Sequence, residues 1–223
     1  MTPEEIAGLI DISAVRTHHN ADDVRECVRI AKEFGFINVH SLPCYTSLVA
    51  ELLKDEPNIF VGAPVGFPGG GHTTEVKLRE AERLIADGVQ EMDIVMNVGK
   101  FKDGDYDYVL NELKTMISST PASVLTKVII EINVLTDKEM LKAAEIVAES
   151  GADFLKTGTG WVPGDANIGR IAKIKAFTEG KIKVKAAGGI RARDEFEALL
   201  ALGVERFGIN TKSALDIVAS FGK

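Results

Sequence analysis

The sequence predicts an α/β protein, a closed (β/α)8 barrel of parallel strands with a helix after each strand. Three observations lead there. Short apolar runs alternate with amphipathic stretches eight times along the 223 residues. Glycine- or polar-rich loops join them, without a long linker, a low-complexity segment or a composition shift. The length suits barrels of ~200–250 residues, which are commonly one domain. One domain over residues 1–223 is therefore expected, an open doubly wound sheet being the alternative that the same alternation permits.

Each element has its own signal. Thr2-Pro3-Glu4-Glu5 reads as a helix start ahead of the apolar entry Ile6 to Ile12, which Asp11 closes. Asn20 is placed to cap a helix to Phe34, with Gly35 as its stop. The second strand, Phe36 to His40, ends at Leu42-Pro43, and a helix runs from Thr46 to Lys54. The third strand, Ile59 to Ala63, enters the glycine-rich loop Pro64 to Gly71, and a helix over Thr73 to Asp87 follows. Strand four is Gln90 to Val95, with a helix from Asp105 to Ser118, and strand five is Val124 to Glu131, with a helix from Thr136 to Glu149. Strand six carries Lys156, and Gly164-Asp165-Ala166-Asn167 starts a helix to Phe177. Strand seven, Ile182 to Ala186, leads to a helix from Arg193 to Leu202, and strand eight, Glu205 to Gly208, to a last helix from Lys212 to Ser220.

Bulk composition narrows the class. The chain is 45% hydrophobic and 26% charged, with 33 acidic and 26 basic residues and a net charge of -7. That balance argues against nucleic acid or an anionic membrane surface as a main partner. The two cysteines, Cys27 and Cys44, have neither metal-motif nor disulfide-framework spacing. No apolar run approaches the ~20 residues of a membrane helix, and Met1 to Glu5 lacks signal-peptide features, so a cytoplasmic protein is expected.

In such a barrel the chemistry sits at the C-terminal ends of the strands. Asp11, Asp93, Lys156 and Lys185 are the polar residues read as ending a strand on its inward face. Lys156 shares a face with Ala152 and Phe154, and the loop Thr157-Gly158-Thr159-Gly160 follows it directly. An amine held there above backbone N–H groups suits Schiff-base chemistry on a carbonyl; the alternative is a lysine reaching to solvent. Lys185 closes Lys181-Ile182-Lys183-Val184-Lys185, where the three lysines share one face. Beside Lys156 it would favour a neutral amine by repulsion and desolvation, whereas the plainer reading pairs these lysines with interior carboxylates such as Glu91. Lys183 is read as structural. Asp93 can hold Lys185 or pass protons, or serve only as structure. Asp11 can orient a hydroxyl or tie down the first loop. Gly158, Gly160, Gly188, Gly189 and Gly208 cluster after the late strands, where these barrels often bind phosphate, and Arg191 can add charge.

These segments resemble the deoxyribose-phosphate aldolase family. The resemblance rests on Phe154-Leu155-Lys156-Thr157-Gly158-Thr159-Gly160, Val184-Lys185-Ala186-Ala187-Gly188-Gly189-Ile190-Arg191, Glu91-Met92-Asp93-Ile94-Val95 and Val65-Gly66-Phe67-Pro68-Gly69-Gly70-Gly71, in order along the chain. It implies a class I aldolase that reversibly cleaves 2-deoxyribose 5-phosphate to glyceraldehyde 3-phosphate and acetaldehyde without metal or other cofactor. It also implies small phosphorylated sugar and aldehyde substrates and a homo-oligomer, a dimer or larger. By resemblance Lys156 is the Schiff-base lysine, Lys185 lowers its pKa and Asp93 belongs to the proton relay. Asp11, Ser13, His40 and Thr159 are expected to meet the substrate, and Gly160, Gly188, Gly189, Gly208 and Asn210 its phosphate.

The chain departs from the family's usual pattern at several positions. Gly158 stands where serine is common, Trp161 where phenylalanine is common and His40 where a cysteine is frequent. Asp11-Ile12-Ser13 replaces a continuation with histidine and threonine, and Gly208-Ile209-Asn210-Thr211 stands where phosphate-binding serines are usual. These changes bear on the substrate more than on the lysine chemistry. The alternatives are the same lysine chemistry on another phosphorylated sugar or a hydroxylated carbonyl donor, and a sugar-phosphate-binding protein without catalysis.

Overall fold

The computed structural model describes residues 1–222; Lys223, the last residue of the expected domain, lies outside them. Eight parallel strands close into a barrel in chain order, the eighth pairing with the first. They are β1 (Ile10–Ala14), β2 (Asn38–Ser41), β3 (Phe60–Val65), β4 (Glu91–Val95), β5 (Leu125–Ile129), β6 (Phe154–Lys156), β7 (Lys183–Ala187) and β8 (Arg206–Gly208). The open-sheet alternative is excluded by the β1–β8 pairing, in which Ile10 stands beside Phe207 and Asp11 beside Gly208.

Ten α-helices surround the barrel among the described residues. Eight follow the strands as expected: α2 (Ala21–Phe34), α3 (Thr46–Leu53), α4 (Thr74–Ala86), α6 (Tyr106–Ser118), α7 (Asp137–Ser150), α8 (Ile168–Thr178), α9 (Arg193–Ala201) and α10 (Thr211–Ser220). Two are additional: α1 (Pro3–Ala7), ahead of β1, and α5 (Val98–Lys102), after β4. The run Ile6 to Ile12 is thus split between a helix and a strand. Thr2 and Glu5 form a reciprocal cap on α1, and β1 continues past Asp11 to Ala14.

Side-chain caps start six of the ten helices. Asn20 Oδ1 accepts from the N–H groups of Asp22 (2.8 Å) and Asp23 (3.2 Å), and Gly35 closes α2 in the left-handed region. Asn167, at the start of α8, makes no side-chain cap. It adopts φ 53°, and its amide donates to Asn133 Oδ1 (2.6 Å) and to the Asp165 carbonyl (2.8 Å). Gly70 is required where it sits, because a Cβ there would overlap the Met96 carbonyl oxygen at φ 69°.

The strand alternation sorts the sequence into two faces. Ile12, Val39, Ala63, Met92, Ile94, Val128, Leu155, Val184, Ala186 and Phe207 are fully buried and belong to the continuous apolar core. The other positions carry Asp11, Asn38, His40, Glu91, Asp93, Lys127, Lys156, Lys185 and Arg206, all buried and joined by ion pairs and hydrogen bonds across the barrel. Such interiors are more often filled with branched aliphatic side chains. Among the described residues, no helix is long and apolar enough to cross a membrane.

Candidate active site

A charged side chain in a dry interior persists only when partners and hydrogen bonds compensate its lost hydration. The barrel interior meets this condition in two tiers. In the lower tier Glu91 accepts Lys127 Nζ (2.6 Å), Arg206 Nη2 (2.6 and 2.7 Å) and Asn38 Nδ2 (2.9 Å). Arg206 Nε also donates to Asp11 Oδ1 (2.6 Å). The upper tier centres on Asp93, which is completely buried. Its Oδ2 accepts Lys156 Nζ (2.7 Å) and Lys185 Nζ (2.9 Å), and His40 Nε2 lies 3.1 Å away. Its Oδ1 lies 3.1 Å from Lys127 Nζ, and Lys185 also pairs with Asp11 Oδ2.

Three carboxylates, Asp11, Glu91 and Asp93, therefore face four basic side chains, Lys127, Lys156, Lys185 and Arg206. Burial pushes the carboxyl groups of Asp11 and Asp93 up, but the surrounding cations outweigh it and hold both well below the usual range. Burial likewise lowers Lys127, yet Asp93, Glu91 and Asp11 more than compensate and raise it. Lys185 goes the other way. Burial, reinforced by Lys156 and Lys127, outweighs Asp11 and Asp93 and brings its ammonium down to about 8. The excess of one cation is thus relieved most easily at a lysine of the upper tier.

Above this tier opens a cavity of about 380 Å³ at the C-terminal end of the barrel. Asp11, Ser13, His40, Lys156 and Thr159 line it, as do Lys185, Gly160, Gly188, Gly189, Gly208 and Asn210. Of the residues expected from the sequence, Asp93 and Gly158 are absent from the wall; Asp93 lies beneath Lys156 and Lys185 and touches both. Of the four residues read as strand ends, only Lys156 ends its strand; Asp93 lies within β4 and Lys185 within β7. Asp11 is paired to Arg206 and Lys185 from within β1. Asn210 is engaged as the cap of α10, its Oδ1 accepting from the Ser213 N–H (3.0 Å) and its Nδ2 donating to Ser213 Oγ (2.9 Å). The N-terminus of α10 therefore faces the cavity with its side-chain amide already committed, leaving backbone N–H groups for an anion. Lys183 is exposed outside the cavity, its ammonium 5.5 Å from the Phe154 ring centre.

Several site residues were not anticipated. Lys127 and Arg206, not Lys185, are the partners of Glu91. Glu131 adopts φ 53° just after β5 and reaches under the lysine loop, accepting from the Thr159 N–H (3.2 Å) and from its hydroxyl. That commitment ties Thr159 into the loop that follows Lys156. Gly158 is fitted against the same carboxylate, since a Cβ there would lie 2.9 Å from Glu131 Oε1 and 3.1 Å from the Ala187 carbonyl oxygen. Phe67 meets Trp161 edge to face, ring centres 5.7 Å apart, and the indole N–H donates to the Val15 carbonyl (3.3 Å). Cys27 is buried and Cys44 exposed, both as free thiols.

The geometry places a buried lysine amine beneath a glycine-lined rim. Residues 11–205 match the model of the DeoC/LacD family aldolase. A deoxyribose-phosphate aldolase from Sinorhizobium medicae is 48% identical over 218 residues, 98% of this chain and 88% of that protein. Among solved structures, QR15, an aldolase, superposes with a TM-score of 0.91 at 36% identity, covering 97% of this chain and 96% of its own. The tetrameric deoxyribose phosphate aldolase from Aeropyrum pernix superposes with a TM-score of 0.88 at 27% identity, covering 99% and 92%. On fold, site and sequence together, this chain belongs to the DeoC/LacD aldolase family.

Proposed function

We propose that the protein is a class I aldolase that reversibly cleaves 2-deoxyribose 5-phosphate to glyceraldehyde 3-phosphate and acetaldehyde. The observation that carries the reading is the pair of lysines on one buried carboxylate oxygen, Lys156 at 2.7 Å and Lys185 at 2.9 Å from Asp93 Oδ2. Binding alone has no use for two mutually repelling ammonium groups; an amine nucleophile does.

In this reading the neutral Lys156 amine attacks the substrate carbonyl carbon, and the carbinolamine loses water to give an iminium. The iminium draws the electron pair of the adjacent carbon–carbon bond as it breaks, leaving an enamine and releasing the phosphorylated aldehyde. Protonation of the enamine carbon and hydrolysis then free acetaldehyde and restore the amine. Asp93 and Lys185 hold the protons that these steps require. Gly188, Gly189, Gly208 and the N-terminus of α10, all on the cavity wall, supply the phosphate site, and Arg191 adds positive charge at the rim. Anchoring the phosphate there orients the sugar for attack at the far end.

A deoxy donor fits the imidazole of His40, whose Nδ1 is engaged with Asn38 Oδ1 and whose Nε2 is buried against Asp93, so that neither ring nitrogen is open to an extra substrate hydroxyl. The described residues form one aldolase domain in this reading, and the protein works in the cytoplasm as a homo-oligomer, consistent with the tetramer of the Aeropyrum pernix relative. The test is steady-state cleavage of 2-deoxyribose 5-phosphate beside condensation of glyceraldehyde 3-phosphate with acetaldehyde or dihydroxyacetone. Turnover confined to the deoxy sugar and acetaldehyde supports the reading. Turnover only with the hydroxylated donor replaces the substrate, and binding without turnover replaces the enzyme by a binding protein.

A further inference from the structure

His40 sits between two oxygens, and the network fixes which of its nitrogens carries hydrogen. Glu91, held by Lys127 and Arg206, is an ionised acceptor, so the Asn38 amide must point its NH2 group toward it (2.9 Å). Asn38 Oδ1 is thereby turned to His40 Nδ1, which must be the donor. His40 Nε2 then faces Asp93 Oδ2 at 3.1 Å, and in the neutral ring this nitrogen is buried with no hydrogen-bond partner. Only a proton on Nε2 makes that contact an ion pair. The seat is shaped for the ring. On the neighbouring strand Gly62 leaves the space it occupies, and a Cβ there would overlap the imidazole and lie 2.5 Å from Asn38 Oδ1.

The same Asp93 oxygen that faces His40 accepts Lys156. From this geometry we infer that His40 stores the proton that Lys156 sheds to become a nucleophile, the transfer running along the shared Asp93 oxygen. The inference rests on the aldolase reading for its purpose. The step balances: the N–H bond of the Lys156 ammonium breaks, its electron pair stays on nitrogen as the attacking lone pair, and the proton forms an N–H bond at His40 Nε2. The interior carries the same total charge before and after, so no ion has to be created or removed in a dry core. On dehydration of the carbinolamine the proton returns along the same oxygen to the departing hydroxyl, which leaves as water. His40 acts through Asp93 and is a positioning residue for the proton, distinct from the nucleophile.

The charges around the ring set when it is loaded. Asp93 from β4 draws a proton to it, Lys185 from β7 and Lys127 from β5 oppose, Lys156 from β6 shares Asp93, and Asp11 from β1 and Glu91 from β4 balance these cations. In the resting site burial dominates and holds the imidazole down to about 4, so it is empty of the second proton while all the cations are charged. Neutralising Lys156 removes one cation from Asp93 and lets the ring take the proton up.

Two measurements on the full-length protein test this. In 15N–1H spectra of the histidine rings, Lys156→Met should move the His40 protonation midpoint upward by at least one pH unit; an unmoved midpoint overturns the inference. In single-turnover trapping with acetaldehyde and cyanoborohydride, the wild-type rate should be nearly flat between pH 6 and 8. In His40→Gln, which cannot store a proton, it should fall at least tenfold at pH 6 and rise with pH across that interval. A variant profile parallel to the wild type overturns the inference, and the ring spectra decide if His40→Gln fails to fold. A wild-type protein that forms no Lys156 adduct would instead sink the aldolase reading, leaving the ring titration as an independent result.

Discussion

Replacing Asp93 by Asn removes the charge on which the upper tier converges while keeping its shape. Two carboxylates, Asp11 and Glu91, would then face the same four basic side chains. An amide offers one oxygen; turned to the Oδ2 position it still accepts from Lys156 and Lys185, but its NH2 group then meets the Lys127 ammonium, 3.1 Å from Oδ1 in the native site. Breaking a buried ion pair by removing one partner costs about 3–5 kcal/mol. The cluster can relieve part of that by releasing a proton from Lys185, which at pH 7 costs ~1.4 kcal/mol for a group titrating near 8. The expected loss at pH 7 therefore lies between ~1.4 kcal/mol, where that proton is released, and ~5 kcal/mol, where it is kept, or a Tm lowered by roughly 3–20 °C for a chain of this size. The loss should shrink at pH 9, where that proton is already gone. Cleavage of deoxyribose phosphate should slow by ~10²–10⁴, the usual range for a lost proton-transfer group. Calorimetry at both pH values and steady-state kinetics read these outcomes. A Tm within a degree of wild type at pH 7, or a deficit equal at the two pH values, would refute the charge argument.

Lys185 carries a pH dependence of its own. Its ammonium titrates near 8 in the fold and near 10.5 when unfolded, so above pH 8 the unfolded chain binds more protons and stability rises with pH. Between pH 8 and 9 this contributes ~1 kcal/mol, absent in Lys185→Met, as urea melts will show; above pH 9 the buried Cys27 thiol, pushed up to about 12, acts in the opposite sense. At Gly158 any added Cβ lies 2.9 Å from Glu131 Oε1 and 3.1 Å from the Ala187 carbonyl oxygen, so Gly158→Val should cost ~1–3 kcal/mol in thermal melts, and Gly158→Ser should cost less because its hydroxyl can donate to Glu131 Oε1, which has no hydrogen-bond partner. Lys77 is completely buried, donating to Glu112 (2.8 Å) and to the Val95 carbonyl (2.9 Å). Lys77→Met should therefore destabilise by ~3–5 kcal/mol in urea melts.

The barrel is legible in the sequence because its outward strand positions are aliphatic at every second residue, as in Ile12, Met92 with Ile94, and Val184 with Ala186. Lys156, Lys185 and Asp93 are legible for the complementary reason, as charges at inward positions of otherwise apolar strands. Lys127 and Arg206 share that pattern and escaped notice because a lone charge in a strand also reads as its solvent face. Three inward carboxylates needing counter-cations was the signal that could have found them. Helix α5 left no periodic trace in five residues, and its start depends on Asn97 Oδ1 accepting from the Lys100 N–H (3.1 Å). The grip of Glu131 on Thr159 joins residues 28 positions apart through a left-handed turn that a glutamate does not advertise.

The claim that Lys156 is the nucleophile is tested most directly by borohydride reduction in the presence of acetaldehyde or 2-deoxyribose 5-phosphate, followed by mass mapping of the modified peptide. The account predicts one reduced adduct, on Lys156, lost in Lys156→Met while that variant keeps its fold by circular dichroism. An adduct on Lys185 or Lys127 instead, or none on any lysine, would contradict it.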